Sequence, residues 1–294
     1  MGTPEFARKS LERLYNDGHD IAGVFTRADK PRSRGMKLSY SPVKELALKH
    51  GTAVYQPSKL SAKLFENIDC DLIAVVAFGM LLPKEILEIP VFGCINIHGS
   101  LLPKYRGASP IQHAILCGEK ETGVTSMYLS EGMDDGDILY ARATQIGDDE
   151  TAGQLYERLG ETGAELLSYT IDKIGCGEAG SSPQNHNEAT YAPLLTKDMS
   201  PIDWSKSAYE IKCKVRGLVP WPVATMELGG KVLKVFSVDI TDNQTQITPG
   251  AVIPAGKSRL EIACADGTVI VNELQAPGGR AMSAADYLRG NNIE

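Results

Sequence analysis

The sequence has no long hydrophobic run, no paired-cysteine motif and no excess of positive charge, and each absence narrows what it can be. No apolar stretch approaches the roughly twenty residues that a membrane helix needs. The first residues, Met1 to Lys9, hold no secretory core, and Phe6 stands where an N-myristoylation motif requires serine or threonine. The six cysteines (Cys70, Cys94, Cys117, Cys176, Cys213, Cys264) are scattered and none forms Cys-x-x-Cys, which argues against zinc ribbons and dithiol redox sites. Reduced thiols and a cytoplasmic location are expected. Five histidines without paired ligand spacing argue against a catalytic metal. No Gly-x-Gly-x-x-Gly follows a strand pattern, and no Gly-x-Ser-x-Gly elbow is present, so dinucleotide binding and serine hydrolysis lack their signatures. A net charge of −7 does not describe a protein coated by nucleic acid.

A local basic patch does exist. Arg27, Lys30, Arg32, Arg34 and Lys37 fall within eleven residues, opposed only by Asp29. The chain is 294 residues long, enough for two domains, and its 43% hydrophobic and 23% charged content is that of an ordinary globular protein.

In chain order, Thr3-Pro4 suits the start of a helix that stops at Gly18. A glycine turn leading straight into a helix ordinarily follows a strand, so a first strand ahead of Gly2 is expected. Residues 21–26 read as a strand, and 27–40 as an exposed, mobile loop without apolar period. Ser41-Pro42 opens a second helix. Residues 71–78 are continuously apolar, as in a strand buried on both faces, and Gly79 to Pro83 turns into a helix. A strand carrying Asn96 and His98 follows, then strands at 123–129 and 138–146, with helices at 109–117 and 151–174. Such alternation predicts a Rossmann-like, mostly parallel twisted sheet covered by helices. Residues 179–200 lose periodicity and read as a linker between a first domain, 1–178, and a second, 201–294. The second opens with a helix over 206–217. It continues as short strands joined by tight turns (Gly229-Gly230; Ala265-Asp266-Gly267), which predicts a small antiparallel, OB-like β-barrel.

The stretch Gly93 to Gly107 concentrates the chemistry. Side chains two apart in a strand share a face, so Asn96 and His98 project together, opposite Ile95 and Ile97. Gly99 ends the strand, placing His98 at its C-terminal end, where open α/β sheets bind ligands. An amide can hold a developing oxyanion and an imidazole can move a proton near neutral pH. The plain alternative is a structural polar pair. Asp134, in the loop Gly132-Met-Asp-Asp-Gly136, would orient His98 if that loop reaches the same edge; otherwise Asp134, Asp135 and Asp137 form a solvated acidic turn.

Asn96-Ile-His98, Ser100-Leu-Leu-Pro103, Tyr105-Arg-Gly-Ala-Ser-Pro110 and Asp134-Asp-Gly-Asp137 together resemble the 10-formyltetrahydrofolate-dependent transformylases. The likeness spans nearly the whole chain. It takes in Gly2-Thr-Pro-Glu-Phe-Ala7, Ser41-Pro-Val-Lys44, Ala77-Phe-Gly-Met-Leu-Leu-Pro83, Ile202-Asp-Trp204, Pro220-Trp-Pro222 and Ala281-Met-Ser283. The Arg34-Gly35 loop, Ile202-Asp-Trp204 and the trailing barrel resemble the members that act on initiator methionyl-tRNA. The resemblance implies formyl transfer from 10-formyltetrahydrofolate, as co-substrate and without a metal, to the α-amine of that tRNA. It implies Asn96, His98 and Asp134 as catalytic residues. It further implies a folate loop at Ser100, Leu101, Leu102 and Pro103, and an apolar pteridine wall at Phe78, Gly79, Met80, Leu81 and Leu82, a stretch that also reads as a plain turn. For the tRNA it implies contacts from Arg32, Arg34, Lys37, Lys206, Lys212, Lys214 and Arg216. A monomer is expected. Pro220-Trp221-Pro222 reads as barrel packing.

Overall fold

The computed structural model describes residues 1–32, 37–241, 247–254 and 258–291. Helix α1 (Glu5–Asn16) opens the chain and buries Phe6, Ala7, Leu11 and Leu14. Its N-cap is Pro4, without a side-chain cap. The hydroxyl of Thr3, expected to cap it, instead accepts from Arg27 N–H at 3.3 Å and donates to Phe78 O at 3.5 Å, joining two strand ends. Strand β1 (Val24–Phe25) leads into β2 (Lys30–Arg32) and β3 (Lys37–Ser39), which pair antiparallel. The basic segment expected as an open loop is therefore a hairpin at its base, and Arg34 lies outside the described residues. Asp29 accepts from Lys44 Nζ at 2.6 Å and from Gln56 Nε2 at 2.9 Å, which fixes the root of this hairpin. The bond from Lys44, then that from Gln56, lowers the Asp29 pKa.

Helix α2 (Pro42–Lys49) is capped by Ser41 Oγ, which accepts from Lys44 N–H. After β4 (Val54–Tyr55), β5 (Ile73–Val75) and the short α3 (Lys84–Leu87) comes β6 (Cys94–His98), all five of its residues buried. Then follow α4 (Pro110–Leu116), β7 (Glu121–Tyr128), β8 (Ile138–Gln145) and the long α5 (Ala152–Gly175). Next are α6 (Ala208–Gly217), β9 (Ala224–Leu228), β10 (Lys231–Thr241), β11 (Val252–Ile253), β12 (Leu260–Ala263), β13 (Thr268–Gln275), β14 (Ala281–Ser283) and α7 (Ala284–Gly290). Ser207 and Glu210 form a complete capping box on α6.

The chain forms two compact units. The first comprises residues 1–110, 122–144 and 156–192; the second comprises 111–121, 145–155 and 193–294. The stretch expected as a linker is thus divided at Pro193, and two segments from the expected first domain cluster with the second. Their attachments are specific. The Gly153 N–H donates to Val219 O at 3.0 Å, Arg216 donates to Gly147 O at 2.7 Å, and Gly217 lies against Leu116 so closely that a Cβ there would sit 2.9 Å from its side chain.

In the first unit β4 and β1 are parallel. Met1 and Gly2 lie between β1 and β5: Gly2 N–H donates to Phe25 O at 2.9 Å, and Val76 N–H donates to Met1 O at 2.8 Å. β5 is parallel to β6, β6 is antiparallel to β7, and β8 flanks β7. This is the expected mostly parallel sheet. Helices α1 and α5 cover the Ile97 side of β6. At Gly163 of α5 a Cβ would stand 3.0 Å from Ile97 Cγ2 and 3.5 Å from the Phe6 ring, so the close seat favours glycine. Since neighbours on a strand alternate, this covering leaves Asn96 and His98 on the other face.

The second unit is an antiparallel sheet of order β11-β12-β13-β10-β9, with β14 also on β13. Register shifts at Val235/Ser237 and Ser237/Val238 bend the eleven-residue β10. The result is an OB-like half-barrel, whose end strands β11 and β9 are not paired with one another among the described residues. Its core includes Ile211, Val215, Leu218, Leu233, Val235, Leu260, Val269 and Leu274. Leu233 is fully buried. Replacing it by alanine is expected to cost about 2–5 kcal/mol, through lost burial and an unfilled cavity. A urea titration checks this as a lower midpoint at unchanged slope. Among the described residues no helix is long and apolar enough to cross a membrane.

Candidate active site

The site is built on the C-terminal end of β6. Asn96 opposes Met127 and His98 opposes Thr125 on β7. His98 is 6% exposed and Asn96 8%. His98 Nε2 lies 2.8 Å from Tyr105 O. A carbonyl oxygen only accepts, so Nε2 carries the proton and Nδ1 is left facing Asp134. Asp134 Oδ2 stands 3.7 Å from Nδ1. That is longer than a hydrogen bond, yet close enough for the carboxylate to stabilise a proton arriving on Nδ1. Asp134 is itself fixed, since Oδ2 also accepts from Gly107 N–H at 2.8 Å. The structure therefore brings together all three residues that the sequence singled out.

The Asp134 backbone takes a left-handed conformation, φ +50°. The turn is drawn tightly onto β7: a Cβ at Gly136 would lie 2.0 Å from Tyr128 O, so only glycine fits there. This close approach carries the acidic loop to the imidazole.

Asn96 differs from its neighbours in one respect. Among the described residues no hydrogen bond engages its side-chain amide, and the amide is not sealed from solvent. A buried strand thus presents a free N–H donor beside a histidine already locked in one tautomer. Such a donor costs no prior bond when it meets a developing negative charge. Cys94, two residues earlier on the same strand, does not supply a nucleophile. Burial pushes its thiol up to about 12, and Sγ contacts Ile86 O at 3.7 Å.

The loop after β6 is tied down from below. Ser100 is fully buried and its Oγ donates to Lys104 O at 2.6 Å. Thr125 Oγ1 donates to Ser100 O at 2.7 Å and accepts from Leu102 N–H at 3.2 Å. The Ser100 hydroxyl is thus committed within the loop, and Leu102 is buried; Leu101 and Pro103 are partly exposed. The expected apolar wall divides in the same way. Phe78 and Leu82 belong to the hydrophobic core with Phe25, Ile73 and Ile86, whereas Leu81 is 78% exposed and Met80 is half-buried beside the exposed Gly79.

The basic residues expected to meet a polyanion fare unequally. Arg32 pairs with Lys37 across the β2–β3 hairpin. In the second unit Lys206 is exposed. Lys212 Nζ lies 2.5 Å from Asp149. Lys214 donates to Pro201 O, and burial lowers its pKa. Arg216 is a correction: it is 5% exposed and holds Gly147 O, so it is a packing residue rather than a surface contact. Its charge pattern resembled that of its neighbours, but its helical position turns it inward. Trp221, expected to pack inside, is 49% exposed.

Sequence reasoning missed the groups that complete the His98 environment, the Tyr105 carbonyl and the Gly107 amide. Both are main-chain atoms, and side-chain motifs carry no signal for them. Thr125, fully buried opposite His98, was also missed.

Comparison with known proteins agrees with this geometry. The formyl transferase family profile matches residues 1–171, and the profile of the formyl transferase C-terminal domain matches 194–292. The methionyl-tRNA formyltransferase of Alkaliphilus oremlandii is 48% identical over 298 aligned residues, covering 100% of this chain and 96% of the relative. That of Acetivibrio thermocellus is 45% identical with the same coverage. Among solved structures, an N-formyltransferase from Helicobacter canadensis, in complex with folinic acid and dTDP-3-aminofucose, superposes with a TM-score of 0.71 at 21% identity, covering 94% of this chain and 97% of that one. A sugar 3N-formyl transferase, WlaRD, gives 0.69 at 20% identity over 94% and 95%. These two likenesses concern the fold. Near 50% identity over the full length, with both family profiles matched in order, decides the assignment: the chain belongs to the methionyl-tRNA formyltransferases of the formyl transferase family.

Proposed function

We propose that the centre formed by Asn96, His98 and Asp134 transfers the formyl group of 10-formyltetrahydrofolate to the α-amine of initiator methionyl-tRNA. The observation that carries this reading is the uncommitted Asn96 amide beside an imidazole whose tautomer is set by Tyr105 O. The amine attacks the formyl carbon and a new C–N bond forms. The carbonyl oxygen becomes an oxyanion, which the Asn96 N–H holds. The amine proton passes by way of His98 Nδ1 to N10 of the folate as the old C–N bond breaks, and Asp134 stabilises the imidazolium meanwhile. The proton lost by one nitrogen is gained by the other, so the reaction needs no redox partner. Formyl-folate compounds are named in complexes of the sugar enzymes of the same fold, which supports the donor.

The donor lies along the loop of Ser100, Leu101, Leu102 and Pro103, with Leu101 and Pro103 presented and Ser100 and Leu102 supporting. Gly79, Met80 and Leu81 offer the apolar surface for the pteridine, with Phe78 and Leu82 behind them in the core. The first unit is the catalytic domain and the second a tRNA-binding domain. Arg32, Arg34 and Lys37 of the basic segment meet the acceptor end, and the exposed Lys206, with Lys212 and Lys214, meets the tRNA backbone by charge. The enzyme works in the cytoplasm as a monomer and starts protein synthesis by making formylmethionyl-tRNA.

A formylation assay with charged initiator tRNA and 10-formyltetrahydrofolate tests this directly. Formyl transfer to an amino sugar nucleotide, with none to methionyl-tRNA, would overturn the acceptor. In the same assay Arg34→Ala is expected to raise KM for the tRNA about tenfold, the size of one lost charge-assisted contact, and to leave KM for the folate unchanged. An equal rise in both would remove Arg34 from the tRNA contact.

A further inference from the structure

Gln184 lies in the stretch whose sequence reads as linker, yet it is 5% exposed. The chain is brought to it by a bridge in which Ile138 N–H donates to Ser182 O at 2.8 Å and Ser182 N–H donates to Ile138 O at 2.9 Å. Its side chain then makes four close contacts, besides a longer one from Nε2 to Met127 Sδ at 3.9 Å. Nε2 lies 2.9 Å from Asp134 O and 2.7 Å from Gly136 O. Oε1 lies 3.1 Å from Arg106 Nε and 2.7 Å from an Arg106 terminal nitrogen. Carbonyls only accept and a guanidinium only donates, so the amide orientation is determined by its neighbours. Both N–H groups and both oxygen lone pairs are used.

These contacts join two loops that share one client. The Asp134 loop supplies the carboxylate facing His98 Nδ1, and the Tyr105–Arg106–Gly107 segment supplies the carbonyl bound to Nε2 and the amide bound to Asp134. The strand of chain after Gln184 reinforces the second loop. Arg106 N–H donates to Thr190 O at 2.8 Å, Ala192 N–H to Arg106 O at 2.7 Å, and Tyr105 N–H to Thr190 Oγ1 at 2.9 Å. The His186 ring accepts from Arg106 at 3.3 Å. Asp134 needs such support, because a non-glycine residue in the left-handed region is held there only by its surroundings.

We propose that Gln184 is a positioning residue of the transfer reaction: it clamps the Asp134 loop to the Tyr105–Gly107 loop and so fixes the two partners of His98 relative to one another. No other side chain of this length offers two donors on one side and two acceptor lone pairs on the other. Glutamate would keep the Arg106 contact but set an oxygen against two carbonyls, and methionine would remove both halves. The inference rests on the assignment of Asn96, His98 and Asp134 as the catalytic centre.

The test uses Gln184→Glu and Gln184→Met, each alone and combined with Asp134→Asn. Both single variants are expected to melt cooperatively, to lower kcat tenfold or more, and to keep KM for folate and tRNA within twofold. Gln184→Asn, which retains the amide at shorter reach, is expected to recover part of the loss. If Gln184 acts through Asp134, its substitution has little further effect on kcat once Asp134 is asparagine. A loss that simply adds to that of Asp134→Asn, an unchanged kcat in Gln184→Glu, or loss of folding in both variants would each overturn the proposal. An inactive wild-type chain, or an Asp134→Asn variant of full activity, would instead strike at the reading of the centre itself.

Discussion

Asn96→Ala is expected to lower kcat for formyl transfer roughly a hundredfold to a thousandfold, the effect of removing one oxyanion donor. The reason lies in what the amide does before the reaction. Among the described residues it has no hydrogen-bond partner in the free enzyme, so its deletion orphans nothing and leaves the β6 ladder intact. The bond it makes forms as charge develops on the formyl oxygen, hence in the transition state rather than with bound substrate. Thus kcat and kcat/KM fall together while both KM values stay near wild type. The melting temperature stays close to wild type as well, because the side chain gives the fold no polar contact. Steady-state kinetics with each substrate varied, and a thermal melt, check both halves. A rise in KM with kcat preserved would show that Asn96 binds ground-state substrate, and the oxyanion role would have to be given up.

Asp134→Asn is expected to lower kcat by about a hundredfold or more, within the range of general acid–base contributions, while leaving the loop in place. Asparagine is isosteric, and its carbonyl can still accept from Gly107 N–H, the 2.8 Å bond that seats the side chain. What disappears is the charge opposite His98 Nδ1. With Nε2 held to Tyr105 O, Nδ1 is the nitrogen that must take and release the proton. The carboxylate at 3.7 Å stabilises the imidazolium formed in that step. The asparagine oxygen that takes the place of Oδ2 faces Nδ1 as a neutral dipole without the full negative charge. The variant should therefore bind folate normally, by fluorescence or calorimetric titration, and fail in single-turnover transfer. Full single-turnover activity would show that Asp134 only supports the turn.

Much of this centre is legible in the sequence. The period-two spacing of Asn96 and His98 and the glycine after them predict a shared face at a strand end, and the structure places them there. The apolar run at 71–78, within which β5 covers 73–75, the Ser41-Pro42 start of α2 and the Gly229-Gly230 hairpin were equally readable, because local conformational preference and apolar period decide them. Other expectations failed for a physical reason. Thr3 lost its capping role because its hydroxyl could join two strand ends. Arg216 turned inward, because charge in a sequence does not state which side of a helix packs.

By itself, then, the sequence determined the α/β alternation, the antiparallel second unit, and the identities and local spacing of the groups that do the chemistry. Tertiary structure decided how those groups work. It brought Asp134 to His98 from 36 positions along the chain, set the imidazole tautomer through the Tyr105 carbonyl, and left the Asn96 amide unengaged. It also divided the apparent linker, placing Gln184 beneath the catalytic loop. Main-chain carbonyls and amides are the same at every residue, and burial depends on contacts between distant segments. Only the folded chain reveals which carbonyl, which amide and which side of a helix are used.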